Sequence, residues 1–159
     1  MDEIARFILF IGPVSSVFDY TTYLIMWFMF KCKFLILMPP PELAARFAHA
    51  TAANPDSNYA AALFQTGWFV ESLLTQTLII HVIRTNKIPF LQSRASWPLI
   101  LTSAAIMLTG AWLPVSPIGL WLGFVPLPTL YWPLLLVTLV AYVALTQVVK
   151  TWLVRTRWI

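Results

Sequence analysis

The chain has 159 residues, of which 60% are hydrophobic and 10% are charged, and its formal net charge at pH 7 is +4. Soluble domains carry about 25% charged residues, so this composition excludes a water-covered surface and favours an integral membrane protein. The basic residues are spread thinly at segment ends, which does not indicate a nucleic-acid partner. The length allows four or five spans of about 20 residues and leaves no room for a soluble catalytic domain.

Four apolar segments predict four membrane-spanning helices in a single domain, 1–159. They cover about 4–30, 60–83, 97–113 and 130–149. Each segment can cross roughly 30 Å of hydrocarbon, and only helices satisfy their own backbone groups in lipid at this length. The sequence therefore predicts an all-α membrane bundle. We expect a kink in the first helix near Pro13, because proline removes a backbone donor.

The distribution of Lys and Arg predicts the orientation. Seven basic residues fall on one side of the four segments: Arg6, Arg84, Lys87, Arg94, Lys150, Arg155 and Arg157. Three fall on the other: Lys31, Lys33 and Arg46. The positive-inside rule then favours both termini in the cytoplasm. Two acids precede the first apolar run without a small-residue cleavage site, so we expect no cleaved signal peptide. Cys32 has no partner for an intrachain disulfide.

The long outer loop, about 32–59, contains the stretch PPPELAARFAHA. Proline at its start predicts a short helix. Leu43 and Phe47 give that helix an apolar side, so we expect it to lie on the outer membrane surface. In the third-to-fourth connection Gly119 and Gly123 match G-x-x-x-G, but the prolines around them favour a turn.

A carboxylate lies near the middle of the second segment. Glu71 forms a stripe with Gly67 and Thr75 at i, i+4 spacing, and Ser72 and Gln76 form a second stripe about 100° round the helix. A charge at a helix centre costs roughly 2.5–3.5 kcal/mol on insertion scales. Two interpretations of this polar wedge remain open: hydrogen bonding between helices, or the lining of an ion path. The second is favoured, because acids inside membranes are usually functional.

Asp19 is a second deep acid, on the first helix. Ser15, Ser16, Thr22 and Tyr23 share its face at i, i+3, i+4 spacing. Here the structural interpretation is favoured, because the expected kink frees a backbone carbonyl that needs polar partners.

Motifs for catalysis or nucleotide binding are absent from the sequence. It contains no P-loop, no His/Cys metal cluster, no nucleophile elbow and no H-E-x-x-H. We therefore expect no nucleotide binding and no covalent catalysis by these residues.

Long motifs resemble a known family. IARFILFIGPVSSVFDYTTYLIMWFMF and FQTGWFVESLLTQTLIIHVIRTNKIPFLQSRASWPLI are similar to the last four membrane helices of bacterial magnesium-translocating P-type ATPases. LPVSPIGLWLGFVPLP and YWPLLLVTLVAYVALTQVVK are similar as well. The resemblance covers most of the chain except about 33–58.

The resemblance implies a place in an ATP-driven magnesium importer of the bacterial inner membrane, with the bilayer and the remaining ATPase helices as partners. It implies, for Glu71 alone, that a carboxylate can be lent to the transport site. The supporting polar wedge is predicted from the residues themselves and comprises Gln76, Ser72, Thr75 and Asp19. Magnesium would be the transported ion, and we expect no tightly bound cofactor.

The chain departs from the family by lacking the D-K-T-G-T phosphorylation motif. We therefore expect that it cannot pump alone and is an enzyme only as part of an assembled translocase. We also expect the face that bears Glu71 and Gln76 to meet helices outside this chain, which leaves the isolated chain unstable or oligomeric. The alternative is a stand-alone four-helix scaffold or regulatory protein without transport activity.

Overall fold

A computed structural model describes residues 2–32, 37–48, 58–83 and 96–155. Its longer helices are α1 (Asp2–Leu24), α2 (Tyr59–Ile83), α3 (Trp97–Trp112) and, after a short α4 (Pro117–Trp121), α5 (Tyr131–Arg155). A π-helical turn, Ile25–Met29, follows α1, and a 3₁₀ turn, Leu113–Val115, follows α3. All regular structure in the described residues is helical, which confirms the all-α part of the predicted fold class.

The four predicted segments coincide with the four longer helices. The largest difference in their bounds is at α5, which continues to Arg155 instead of ending near residue 149. Thr151 there donates to the Gln147 carbonyl at 2.8 Å, as a helical threonine can. The apolar pattern ended near residue 149 because it marks the hydrocarbon-length part of a helix, whereas the backbone hydrogen bonds continue beyond it.

The first helix leaves α geometry at its end and not at its proline. Pro13 lies inside α1, which is helical on both sides of it. The departure comes at the π-helical turn, where Phe30 donates to the Ile25 carbonyl at 3.3 Å and Cys32 to the Met26 carbonyl at 3.2 Å. Lys31, with φ of +55°, ends the run.

The second helix begins at a side-chain cap. The Oδ1 atom of Asn58 accepts from the Ala60 N–H at 2.9 Å, and its carbonyl accepts from the Ala62 N–H at 3.0 Å. Asparagine is among the best N-cap residues because it satisfies a donor that the first helical turn leaves free.

The core lies where α1, α2 and α5 meet, and α3 packs on the outside of α2. The Tyr131 hydroxyl donates to the Gly67 carbonyl at 2.5 Å, and the Lys150 ammonium donates to the Val82 carbonyl. The earlier residue of α5, Tyr131, meets the earlier residue of α2, and Lys150 meets the later one. The two helices α2 and α5 therefore run parallel. Phe18 packs on the ring of Tyr142 with centroids 5.3 Å apart, consistent with an antiparallel α1.

Gly67 permits the close approach of these three helices. A Cβ atom at this position would lie 2.7 Å from the Met26 Cε and 3.3 Å from the ring of Tyr131. Small residues allow this kind of contact between membrane helices.

Two of the described helices are long and apolar enough to cross a membrane: Trp97–Val115 and Tyr131–Leu153. Their exposed positions carry large apolar side chains, among them Leu101 and Leu108 on the first and Val137 and Val140 on the second.

The predicted interfacial helix in the outer loop is wrong. Residues 41–48 form successive turns, with Leu43 bonded to the Pro40 carbonyl at 2.8 Å and Arg46 to the Leu43 carbonyl at 3.0 Å. Leu43 and Phe47 are buried in the core instead of facing a membrane surface. A segment this short does not repay the cost of helix nucleation, so packing decides its conformation. The turn predicted at Gly123 is confirmed, with φ of +99°.

Several predictions lie outside the described residues. These include the predicted loop at 33–36 and 49–57 and the whole of the motif R-T-x-K-I-P-F-x-Q-S-R at 84–94. Five of the basic residues that set the predicted orientation lie there as well: Lys33, Arg84, Lys87, Arg94 and Arg157.

Candidate functional site

The carboxyl group of Glu71 is enclosed in the bundle. The residue is 0% exposed, and neither Oε1 nor Oε2 has a hydrogen-bond partner among the described residues. A buried polar group without a hydrogen bond costs several kcal/mol, on the order of 2–7, and an unpaired charge costs more. Packing alone therefore does not explain why an acid occupies this position.

Polar groups from the neighbouring helices lie within electrostatic range of Glu71. They are the carboxyl group of Asp19 on α1 and the phenols of Tyr131 and Tyr142 on α5. The described residues contain no group of three or more His, Cys, Asp or Glu side chains that could hold a metal ion. The arrangement is a pair of acids from two helices, bordered by hydroxyl groups.

The second acid of this pair is open. Asp19 is half-buried, and one of its oxygens accepts from the Ser72 hydroxyl at 3.4 Å. It lines a cleft of about 210 Å³ together with Ser16, Tyr20, Tyr23 and Trp68. A second cleft of about 290 Å³, lined by Gln65, Trp68, Phe69 and Ser72, lies beside it. We call these two the α1–α2 clefts.

The structure brings part of the predicted polar wedge together. Asp19 and Ser72 meet across the α1–α2 contact, next to Glu71. Thr75 is buried; its hydroxyl donates to the backbone carbonyls of Glu71 at 3.0 Å and Ser72 at 3.1 Å, and it also lies close to the Glu71 carboxyl group. Gln76 is exposed and lies about 140° round α2 from Glu71.

The expectation that Glu71 faces outward is wrong. This chain's own residues enclose its side chain where α1, α2 and α5 pack together, one turn after Gly67. The polar groups left open on this side are Asp19, Gln65 and Gln76.

Sequence reasoning missed the buried polar row on α5. Its members share one face at spacings of seven and four residues: Tyr131, Thr138, Tyr142, Thr146 and Lys150. The Tyr142 hydroxyl lies 3.1 Å from the Ser15 Oγ, whereas the Thr146 Oγ1 has no partner among the described atoms. The i, i+4 spacing of these residues was the available signal, and the aliphatic residues between them obscured it.

The atoms of this site that could bind an ion are carboxyl and hydroxyl oxygens, which are ligands that hard cations prefer. Magnesium takes six oxygen ligands near 2.0–2.1 Å and keeps several waters. Two carboxyl groups and the neighbouring hydroxyls supply only part of such a shell, so the arrangement suits a site completed by other groups.

The family comparison decides the class of the protein. The family model described as "Cation transporting ATPase, C-terminus" matches residues 2–152. The chain belongs to this family. It is similar to the "Magnesium-transporting ATPase, P-type 1" of Salmonella typhimurium, with 43% identity over 153 residues. The protein of the same description from Escherichia coli K12 is 40% identical over 148 residues.

This cation-transporting ATPase C-terminal chain is short beside its relatives. The alignments cover 96% and 93% of the chain, but only 14% of the length of each of the two relatives. Family membership and the two apolar helices together make it a membrane protein.

Proposed function

We propose that the chain is the C-terminal membrane part of a magnesium-translocating P-type ATPase, where it supports the transport helices and lends the Glu71 carboxyl group to the ion path. One observation carries this proposal: a fully buried acid without a hydrogen-bond partner lies beside a second acid. The names of the relatives supply the ion, magnesium. Magnesium is thus cargo and not a resident cofactor.

All four long helices cross the membrane in this proposal, with both termini in the cytoplasm of a bacterial cell and the protein in the inner membrane. α1 and α2 join the two helices that already satisfy the length and hydropathy of a span. The lipid bilayer surrounds α3 and the outer face of α5, because those faces expose apolar side chains.

The α1–α2 clefts are where the remaining ATPase helices pack. Asp19, Gln65 and Gln76 are open on this side, and polar groups that face lipid are costly. Helices from the rest of the pump would cover them and complete the oxygen shell beside Glu71. Phosphorylation and nucleotide binding belong to that remaining part, since these 159 residues contain no D-K-T-G-T motif.

A second candidate is a stand-alone membrane scaffold or regulatory protein without transport activity. It is favoured by the enclosure of Glu71, because a chain that buries its own acid resembles a self-sufficient bundle. The two candidates differ in whether magnesium transport depends on this carboxyl group.

The test is Glu71→Gln in an ATPase assembled from this chain and the remaining parts of the pump. Loss of a charged ligand should weaken the apparent magnesium affinity at least about tenfold, or ~1.4 kcal/mol, measured as magnesium-dependent ATP hydrolysis and uptake. Glu42→Gln is the matched control, since Glu42 is exposed in the outer loop. Unchanged affinity in a folded, assembled Glu71→Gln pump would remove Glu71 from the ion path.

A further inference from the structure

The connection between α3 and α5 begins with a stretch, 115–122, that exposes most of its apolar side chains and buries its one polar side chain, Ser116. Trp121 is 93% exposed, and Val115, Ile118 and Leu122 are each more than half exposed. Ser116, in contrast, is 1% exposed. We call residues 115–122 the apolar turn. A loop in water would expose its polar side chains and bury its apolar ones. A contiguous exposed apolar patch marks an interaction surface instead.

The apolar turn is held in shape by its own hydrogen bonds. The Ser116 hydroxyl donates to the Leu113 carbonyl at 2.8 Å and accepts from the Gly119 N–H at 2.8 Å. Phe124 donates to the Gly119 carbonyl at 2.9 Å. A Cβ atom on Gly119 would collide with the Leu113 carbonyl oxygen, so this turn requires glycine. The exposed side chains are therefore presented by a preformed structure.

The position of the apolar turn indicates what covers it. It joins the two helices that are long and apolar enough to span a membrane, so it lies at their shared end. The whole connection 114–129 contains no charged residue. The outer stretch 37–48, by comparison, carries Glu42 and Arg46, both exposed. Exposed Trp at such a helix end is typical of the boundary between headgroups and acyl chains.

The residues directly after the apolar turn are tied to α2, the helix of Glu71. The Val125 N–H donates to the Thr66 Oγ1 at 3.1 Å, and the rings of Phe124 and Phe69 lie 4.8 Å apart. Thr66 precedes Glu71 by five residues, which is about 7.5 Å along the helix axis. The depth of the turn in the bilayer therefore sets the depth of α2.

We propose that the apolar turn inserts into the boundary between headgroups and acyl chains of the outer lipid leaflet and anchors α2 at a fixed depth. Its partner is lipid of any headgroup charge, because the turn itself has no charged side chain; Arg46, which donates to the Phe124 carbonyl at 3.1 Å, lies beyond the turn. The anchor does not depend on magnesium transport, so its failure and the failure of the proposed function are separate results.

The experiment uses the full 159-residue chain in phosphatidylcholine liposomes, with Cys32→Ala to leave one labelling site. An environment-sensitive fluorophore is attached at Trp121→Cys or, as the matched control, at Glu42→Cys. We expect blue-shifted emission at position 121 and at least about twofold stronger quenching there by lipids that carry a quencher near the headgroup. Adding anionic lipid should leave both values unchanged.

Water-like emission at position 121, equal to that at position 42, would overturn the proposal. So would a signal at position 121 that depends on the ratio of protein to lipid, because that result would assign the turn to contact with a second copy. If Trp121→Cys fails to fold, Leu122→Cys provides the same measurement, since Leu122 is also exposed on the turn.

Discussion

The two deep acids of this chain lie next to each other and are held in opposite ways. Glu71 is enclosed and has no hydrogen-bond partner, whereas Asp19 is half-buried, accepts from Ser72 and lines an open cleft. Both lie well inside their helices in the sequence. The comparison shows that the position of an acid along a membrane helix does not determine whether it is open, because the packing of the neighbouring helices decides that.

Gly67 lies one turn before Glu71 on α2, in close contact with Met26 and Tyr131. We expect Gly67→Val to have the largest effect, because its side chain would overlap Met26 and Tyr131. Overpacking of this kind costs about 1–3 kcal/mol, and more where the backbone cannot move. Thermal unfolding in detergent measures the loss. Gly12→Ala is the control, since a Cβ there meets nothing within 4 Å, and equal losses in both variants would show that the close approach at Gly67 is unimportant.

The unpartnered carboxyl group should cost stability. We expect Glu71→Leu to stabilise the isolated chain by about 1–2 kcal/mol, since replacing a buried polar group by an apolar one of similar size removes its desolvation penalty. Denaturant unfolding in detergent measures the change, and the same variant should abolish any magnesium dependence of the assembled pump. A destabilised Glu71→Leu chain would mean that the carboxyl group has structural partners, as in the scaffold candidate.

The bond between Ser72 and Asp19 should contribute little. At 3.4 Å it is long, and Asp19 is open to other partners. We expect Ser72→Ala to lower the free energy of unfolding by about 0.5 kcal/mol or less, at the low end for a hydrogen bond. Ser16→Ala, which removes an exposed bond to the Gly12 carbonyl, is the matched control. A loss above about 1.5 kcal/mol would show that the Asp19 side is as tightly held as the Glu71 side.

The burial of the Cys32 thiol in the core should have the smallest effect on stability. Burial raises the pKa of Cys32 to about 11 from an ordinary value of 9.0. The folded thiol therefore stays protonated between pH 9 and 11, where the unfolded thiol ionises, so its contribution to stability is present below pH 9 and is lost as pH rises through that window. Maleimide labelling at pH 8 should be slower in the folded chain than in the denatured one. Equal rates would contradict a buried thiol.

The helices were predictable because their signals are local. Apolar runs of membrane length placed α1, α2, α3 and α5, and the glycines and prolines after α3 predicted a turn. The segment 41–48 was not predictable, because a local helix pattern there competes with the burial of Leu43 and Phe47 in the core. Its conformation depends on residues that are distant in the sequence.

The candidate site was predictable only in part for the same reason. Spacing on α2 identified Glu71 and Ser72, and it also included Gln76, which shares the stripe of Ser72 but is exposed. The polar row on α5 was not predicted. A tyrosine or threonine among aliphatic residues can face either lipid or a neighbouring helix, and only the packing of the helices shows that these residues are buried.

The sequence by itself determined that this chain is helical and apolar and that an acid lies deep in its second segment. Composition and the spacing of apolar residues are properties of short stretches of chain, so they can be read locally. Only the tertiary structure decided that Glu71 is closed and Asp19 open. That outcome depends on how α1, α2 and α5 pack together, and such packing is a property of three surfaces and not of any one segment.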